Sequence, residues 1–229
     1  MLQAFGEEIW IGEGAEAEVA GFRYPLRMAV IRLSGGGLFI WSPIPLTEAL
    51  RREVEKLGPV EHLIAPNSLH HLSLAEWKQA YPQAMLHAPP GLREKRPDLA
   101  FDGDLESGPM PAWSGEIDQV LVPGNVITAE TVFFHKKSGT VIFTDLIQQF
   151  PPGWFSGWRA LVAKLDLMMG EAPAVPRKFR LAFTGRRAAR AAISEILSWP
   201  IEKVLLAHGT PVRENGKEAV ARAFRWLMG

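Results

Sequence analysis

The sequence predicts an α/β fold of two sheets, partly antiparallel, with helices packed outside them. Three observations lead there. Short apolar runs alternate with helix-periodic segments along most of the chain. Hairpin turns also occur, which an all-parallel sheet would not need. No repeat, linker or low-complexity segment divides residues 1–229, so they read as one domain.

Taken in order, Glu8–Ile11 and Glu18–Phe22 are weak strand signals. Met28–Leu33 and Gly37–Trp41 form a clearer hairpin, with Ser34-Gly35-Gly36 supplying the turn. A helix from about Thr47 to Leu57 has Leu46, Leu50, Val54 and Leu57 along one face and stops at Gly58-Pro59. The apolar run from His62 to Ala65 reads as a strand. It breaks at Pro66-Asn67-Ser68, and His70-His71 follow in a loop. A helix to about Ala80 comes next, with Ser73 and Glu76 as a capping box and Leu72 placed to staple onto Trp77. Ala84–His87 is a short strand, and residues 91–118, rich in Pro, Gly and Asp, read as irregular surface chain. Gln119–Val122, Thr131–His135 and Thr140–Thr144 are strands, the last two joined at Lys137-Ser138-Gly139. Trp158, Leu161, Val162, Leu165 and Met168 recur at helical spacing. A second helix spans about Arg186–Trp199, Lys203–Ala207 is a strand, and an Asn215/Glu218 pair opens the last helix.

Charge and composition exclude some functions. Formal net charge is zero, so nothing global favours nucleic acid or an anionic membrane. With no cysteine, disulfides, thiolate metal sites and thiol catalysis are all removed, which is compatible with a reducing cytoplasm. The N-terminus lacks a basic region followed by an apolar one, and no run of about 18 apolar residues exists, so neither a signal peptide nor a transmembrane helix is expected. The expectation is a cytoplasmic protein acting on a small molecule. Eight tryptophans offer either core or an apolar surface that pairs two chains.

Three strands end on an ionisable residue. His70-His71 follow the strand at 62–65, Asp145 follows Thr140–Thr144, and His208 follows Lys203–Ala207; a fourth strand end, Pro123-Gly124-Asn125, offers an amide. Ligands gather at strand ends because the scaffold fixes them there while loops leave access. No G-x-S-x-G elbow, P-loop or G-x-G-x-x-G is present. The basic stretch Arg177–Arg190 suits either a solvated helix face or an anionic substrate group. His62, His87 and His135 lie within or beside strands and read as structural or solvated.

With these residues in place, the chain resembles the metallo-β-lactamase superfamily, and more closely its branch called DUF4336. The superfamily loop H-x-H-x-D-H aligns with Pro66-Asn67-Ser68-Leu69-His70-His71, so Pro66 and Ser68 replace two histidines, His70 replaces the aspartate, and His71 is kept. Asn125 stands for the histidine of a Pro-Gly-His turn, Phe143-Thr144-Asp145 keeps the bridging aspartate, and Ala207-His208-Gly209 keeps the last histidine. The early aspartate of the family's first strand end is absent from Ile40-Trp41-Ser42-Pro43. The resemblance implies a four-layer αββα sandwich. It also implies that the first of two metals is lost, because proline offers no ligand and serine and asparagine offer weak ones. The second metal would be held by His70, His71, Asp145 and His208, a set suited to one divalent ion such as zinc, manganese or iron, with bonds of about 2.0–2.2 Å. Asn67, Ser68 and Asn125, together with Trp41 and Trp154, are expected to line the pocket. Two functions remain open: a hydrolase-like protein in which one metal activates water toward an ester, amide or phosphoester, and a metal-free small-molecule binding protein on the same fold.

Overall fold

The computed structural model describes residues 1–106 and 108–229. Its first sheet has seven strands in sequence order: β1 (Leu2–Gly6), β2 (Ile9–Val19), β3 (Phe22–Arg32), β4 (Leu38–Trp41), β5 (Val60–Ile64), β6 (Met85–Ala88) and β7 (Gly103–Asp104). Strands β1 to β4 pair antiparallel and β4 to β7 parallel. The second sheet has four strands, β8 (Ile117–Val122), β9 (Glu130–His135), β10 (Thr140–Phe143) and β11 (Lys203–Leu206). Its order is β11-β10-β9-β8, and only β10 and β11 are parallel. The parallel connections carry the helices α1 (Glu48–Leu57), α2 (Leu74–Ala80), α3 (Leu92–Lys95), α4 (Gly157–Leu165), α5 (Arg177–Ala182) and α6 (Arg186–Ser198), and α7 (Gly216–Met228) follows β11.

Three apolar layers hold the assembly together. Between the sheets lie Phe5, Ile9, Ile31, Phe39, Trp41, Trp113, Phe133 and Ile142. Leu50 and Val54 of α1 and Leu74 and Trp77 of α2 cover the outer face of the first sheet. Ala189, Ile193 and Ile196 of α6 and Val220, Phe224 and Leu227 of α7 cover the second. Helices outside, two sheets inside: this is the four-layer αββα sandwich.

Local departures from the sequence reading have physical causes. The segment Glu18–Phe22 is not one strand: Glu18 and Val19 end β2 and Phe22 begins β3. It spans the tip of a long β2–β3 hairpin, where Ala20 and Gly21 take positive φ values of 51° and 77° in succession, the backbone that a tight two-residue hairpin turn requires. The two caps read from sequence do not form. Neither Ser73 nor Asn215 makes a side-chain cap bond, and the Glu76 carboxylate instead accepts from the Leu46 backbone N–H at 3.0 Å. Leu72 is exposed rather than stapled to the buried Trp77. Within the stretch read as irregular, α3 and β7 form. Helix α4 has the expected spacing yet buries only Ala163, leaving Trp158, Leu161, Val162 and Leu165 in solvent. Within the Arg177–Arg190 stretch, the Arg180 and Arg190 side chains donate to backbone carbonyls of Val175 and Leu227, which is structural work. Among the described residues, no helix is long and apolar enough to cross a membrane.

Candidate metal centre

The site forms where β4, β5, β10 and β11 all end at the same edge. Each of these strands runs parallel to a neighbour, so their C-terminal ends and the residues just beyond them collect together. Ser42 follows β4, the loop from Pro66 to His71 follows β5, Asp145 follows β10, and His208 follows β11.

Three of the four residues expected to hold a metal converge. His70, Asp145 and His208 each bring one ligand-type atom within 4.8 Å of the other two. The His70 and His208 Nε2 atoms stand 3.2 Å apart, and each lies 3.4 Å from one oxygen of the Asp145 carboxylate. Neighbours fix how the rings present themselves. His208 Nδ1 faces the Pro25 carbonyl oxygen at 3.0 Å, which only accepts, so Nδ1 donates and Nε2 faces the cluster as a bare lone pair in the neutral ring. His70 Nδ1 pairs with the Ser42 hydroxyl at 2.8 Å, and a hydroxyl can act either way. Burial pushes His70 below the usual histidine range, against the pull of Asp145. Burial pushes the Asp145 carboxyl up, but the His70 and His208 imidazoles outweigh it and hold Asp145 well below the usual range. The set is therefore an ionised carboxylate between two nitrogen donors.

His71 is the correction. Its ring turns from the cluster to Arg96, whose Nη1 donates to His71 Nδ1 at 3.1 Å and also to the His71 carbonyl oxygen at 3.2 Å. Consecutive loop residues cannot both aim at one point when a guanidinium claims the second. Burial, with Lys95 and Arg96 nearby, pushes His71 below its ordinary value.

The pocket residues also separate. Asn67 is fully buried and ties the site together: its Oδ1 accepts from the Leu69 and His70 backbone N–H groups, and its Nδ2 donates to Asp145 at 2.8 Å. Ser68 is bound to Thr128 at 3.1 Å. Asn125 is a structural residue: its amide donates to the Phe179 carbonyl oxygen and accepts from the Ile127 N–H. Trp41, the last residue of β4, lies in the core between the sheets, and it is Ser42, just past the strand at a φ of 51°, that lines the cavity. Trp154 packs on Phe150 and donates to the Arg23 carbonyl oxygen, away from the cavity wall.

Two positioning residues carried no sequence signal. Glu130, at the start of β9, is fully buried and accepts from three backbone N–H groups: Thr144 at 2.7 Å, Asp145 at 2.7 Å and Leu146 at 3.1 Å. It fixes the turn that presents Asp145. Burial and the Asp145 charge push Glu130 up to about 7, against those three donors. Arg27, buried on β3, donates to the Leu206 and Gly209 carbonyl oxygens on either side of His208 and is paired with Glu13 at 2.7 Å. A lone Glu or Arg in a strand looks like any solvated side chain until its partners are known.

Three buried histidines outside the site, His62, His87 and His135, shape the acid response, and burial pushes His62 below its ordinary value. Burial pushes His87 and His135 from 6.5 to about 4. A neutral histidine in the folded state contributes stability that is present above pH 6.5 and lost as pH falls toward 4, about 3 kcal/mol for each. Glu130, raised from 4.5 to about 7, has the opposite sign between those values and offsets about one of them. Because His62, His70 and His71 shift in the same direction as His87 and His135, urea unfolding is expected to show a net loss of at least about 2 kcal/mol between pH 7 and 4.5. A midpoint that holds level or rises on acidification would contradict this.

The donor set fits one metal and not two. Two nitrogens and a carboxylate leave an open fourth position, as in catalytic zinc sites, and ligand atoms on a tetrahedral ion stand about 3.3 Å apart. Beside them, the buried Gln148 Oε1 lacks any partner, while its Nε2 lies 3.5 Å from Asp145. Among the described residues no second cluster of metal-ligating side chains stands beside this one: Pro66 has no donor, and Ser68 and Asn125 are already bound.

Comparisons with known proteins agree with this architecture. A family model described as a domain of unknown function (DUF4336) matches residues 6–155, more than half of the chain. No curated protein matches the sequence. Among solved structures, a metallo-β-lactamase from Pontibacter korlensis is 11% identical at a TM-score of 0.65, over 100% of this chain and 99% of that one. The metallo-β-lactamase FIM-1 from Pseudomonas aeruginosa, in its mono-zinc form, is 12% identical at 0.64, over 100% and 96%. The flavodiiron core of Flv1 from Synechocystis is 10% identical at 0.66, over 100% of this chain and 60% of that one. At such identities the likeness concerns the fold. The chain belongs to the DUF4336 family and has the metallo-β-lactamase fold.

Proposed function

We propose that this protein is a hydrolase-like enzyme using one divalent metal held by His70, Asp145 and His208. The observation that carries the reading is the convergence of two imidazole Nε2 atoms and an ionised carboxylate at the buried end of an open cavity. A bound divalent ion would supply Lewis-acid polarisation of a carbonyl or phosphoryl oxygen and a lowered pKa for water. The chain's own residues do the rest. Pro25 sets the His208 tautomer, Ser42 orients the His70 ring, Asn67 and Glu130 hold Asp145, and Arg27 clamps the His208 turn. Gln148 Oε1 offers an acceptor for a proton on a bound water or ligand.

A second reading has its own support. If the Ser42 hydroxyl donates to His70 Nδ1, the His70 Nε2–H donates toward His208 and Asp145, and the three residues satisfy one another without a metal. That is a binding protein on the same fold.

Elemental analysis of protein purified without tag or chelator separates the two. The enzyme reading expects close to one metal per chain. Less than about one in ten after adding zinc, manganese or iron would sink it. Asp145→Asn and His208→Ala are each expected to weaken metal binding more than about a hundredfold, while His71→Ala changes it less than about threefold. Equal losses for His71→Ala would return His71 to the ligand set.

A further inference from the structure

We infer that the ligand of this site is a long-chain acyl compound, with its chain in an apolar cavity and its carboxyl-level end at the His70 edge. The cavity that opens over the cluster measures about 900 Å³, toward the upper end of ordinary ligand pockets. Its walls come from three places: the β2–β3 hairpin with Val19, Phe22 and Leu26, helix α4 with Val162 and Leu165, and Phe179 of α5. These surfaces are unusual in what they leave uncovered. Helix α4 turns Leu161, Val162 and Leu165 to solvent, and Val19, Leu69 and Leu72 are exposed around the same opening. Isolated exposed apolar residues need no explanation, but a contiguous rim leading into an apolar cavity does.

Apart from the Lys178–Asp166 pair beside α4 and α5, most polar groups gather at one edge. There the loop after β5 brings His70 and His71, and Lys95 of α3 donates to the Ser68 carbonyl oxygen at 2.7 Å. Among the described residues Lys95 has no carboxylate partner, whereas the other lysine on the cavity, Lys178, lies 3.6 Å from Asp166. A cation without a carboxylate partner at the cavity edge near His71, facing apolar walls, is complementary to an anionic head on an apolar chain. A polar sugar, nucleotide or peptide would leave most of its hydrogen-bonding groups unpaired against these walls.

This inference rests on the hydrolase reading only for the reaction. On that reading the substrate is an acyl ester. The oxygen of water bonds to the acyl carbon, the acyl C–O bond breaks, and the alcohol oxygen leaves with the electron pair and takes one proton of the water. The other proton passes to solvent, and the fatty carboxylate remains beside Lys95.

Titration calorimetry of the full chain with octanoate, decanoate and dodecanoate tests the binding without requiring turnover. Affinity is expected to rise about fourfold per methylene, or roughly 250-fold across the series. Val162→Glu, at the exposed mouth, should lower dodecanoate affinity more than about tenfold, while Leu181→Glu, exposed off the cavity, leaves it unchanged. Lys95→Ala should weaken the carboxylates and leave the matching 1-alkanols unaffected. A flat chain-length series, or a Val162→Glu protein that binds as before, overturns the inference. Equal effects of Lys95→Ala on acids and alcohols would remove its anionic end. Tight, chain-dependent binding without hydrolysis of the corresponding esters would leave this inference standing and count against the enzyme reading.

Discussion

Gly209→Ala is expected to destabilise the fold by more than about 4 kcal/mol, or to prevent recovery of folded protein. Gly209 follows His208 with a φ of +106°, where an L side chain is strained. A Cβ there would overlap the Gln149 backbone carbonyl. The chain has no freedom to yield: Gln149 N–H donates to the His208 carbonyl oxygen, Thr210 N–H donates to that of Gln149, and Arg27 holds the Gly209 carbonyl oxygen at 2.6 Å. Any relief must move His208 out of the cluster. Gly35→Ala is the control, since a Cβ at Gly35 meets nothing within 4 Å, and its cost is expected to stay within about 0.5 kcal/mol. Urea denaturation of both variants measures the difference, and a Gly209→Ala protein within about 1 kcal/mol of the parent would refute the argument.

Glu130→Ala is expected to cost about 3–6 kcal/mol and to abolish stoichiometric metal binding. The substitution strips the acceptor from three buried backbone N–H groups, those of Thr144, Asp145 and Leu146, at about 1–3 kcal/mol for each donor left unpaired. Glu130→Gln separates charge from shape. Its amide nitrogen must face at least one of those N–H groups, so it should fall between Ala and the parent in stability. Because the carboxylate fixes the turn carrying Asp145, both variants should loosen the metal site before they unfold the protein. Metal titration alongside urea unfolding reads this directly. A Glu130→Ala protein that keeps one tightly held metal per chain would show that the turn is held by something else.

Much of the fold was legible because it rests on periodic burial. Strands β8 to β11, helices α1, α6 and α7, and the β3–β4 hairpin all fall close to where alternation, helical spacing and turn residues place them. The misses were features without such a signal. The hairpin tip at Ala20-Gly21 carries no turn signal strong enough to part Glu18–Phe22 into two strands, because Ala20 does not announce a left-handed turn. Ser73/Glu76 and Asn215/Glu218 have the spacing of capping boxes, but spacing cannot show that Glu76 is claimed by Leu46. In α4 the period was correct and the buried face was not, since a helix can hold apolar residues at regular spacing and leave most of that face uncovered.

The candidate site divides in the same way. The sequence alone determined which donors exist: His70, Asp145 and His208 at strand ends, with Pro66, Ser68 and Asn125 where a second metal would need nitrogen ligands. It also placed Asn67 beside them. Only the tertiary structure decided that His71 turns to Arg96 and that Trp41 faces the core. The same packing brought Glu130, Arg27 and Ser42 from distant strands to hold the cluster. Ligand chemistry is a property of residue type and is written in the chain. Aim, and the freedom to move, come from partners tens of residues away, and those are fixed only when the two sheets pack.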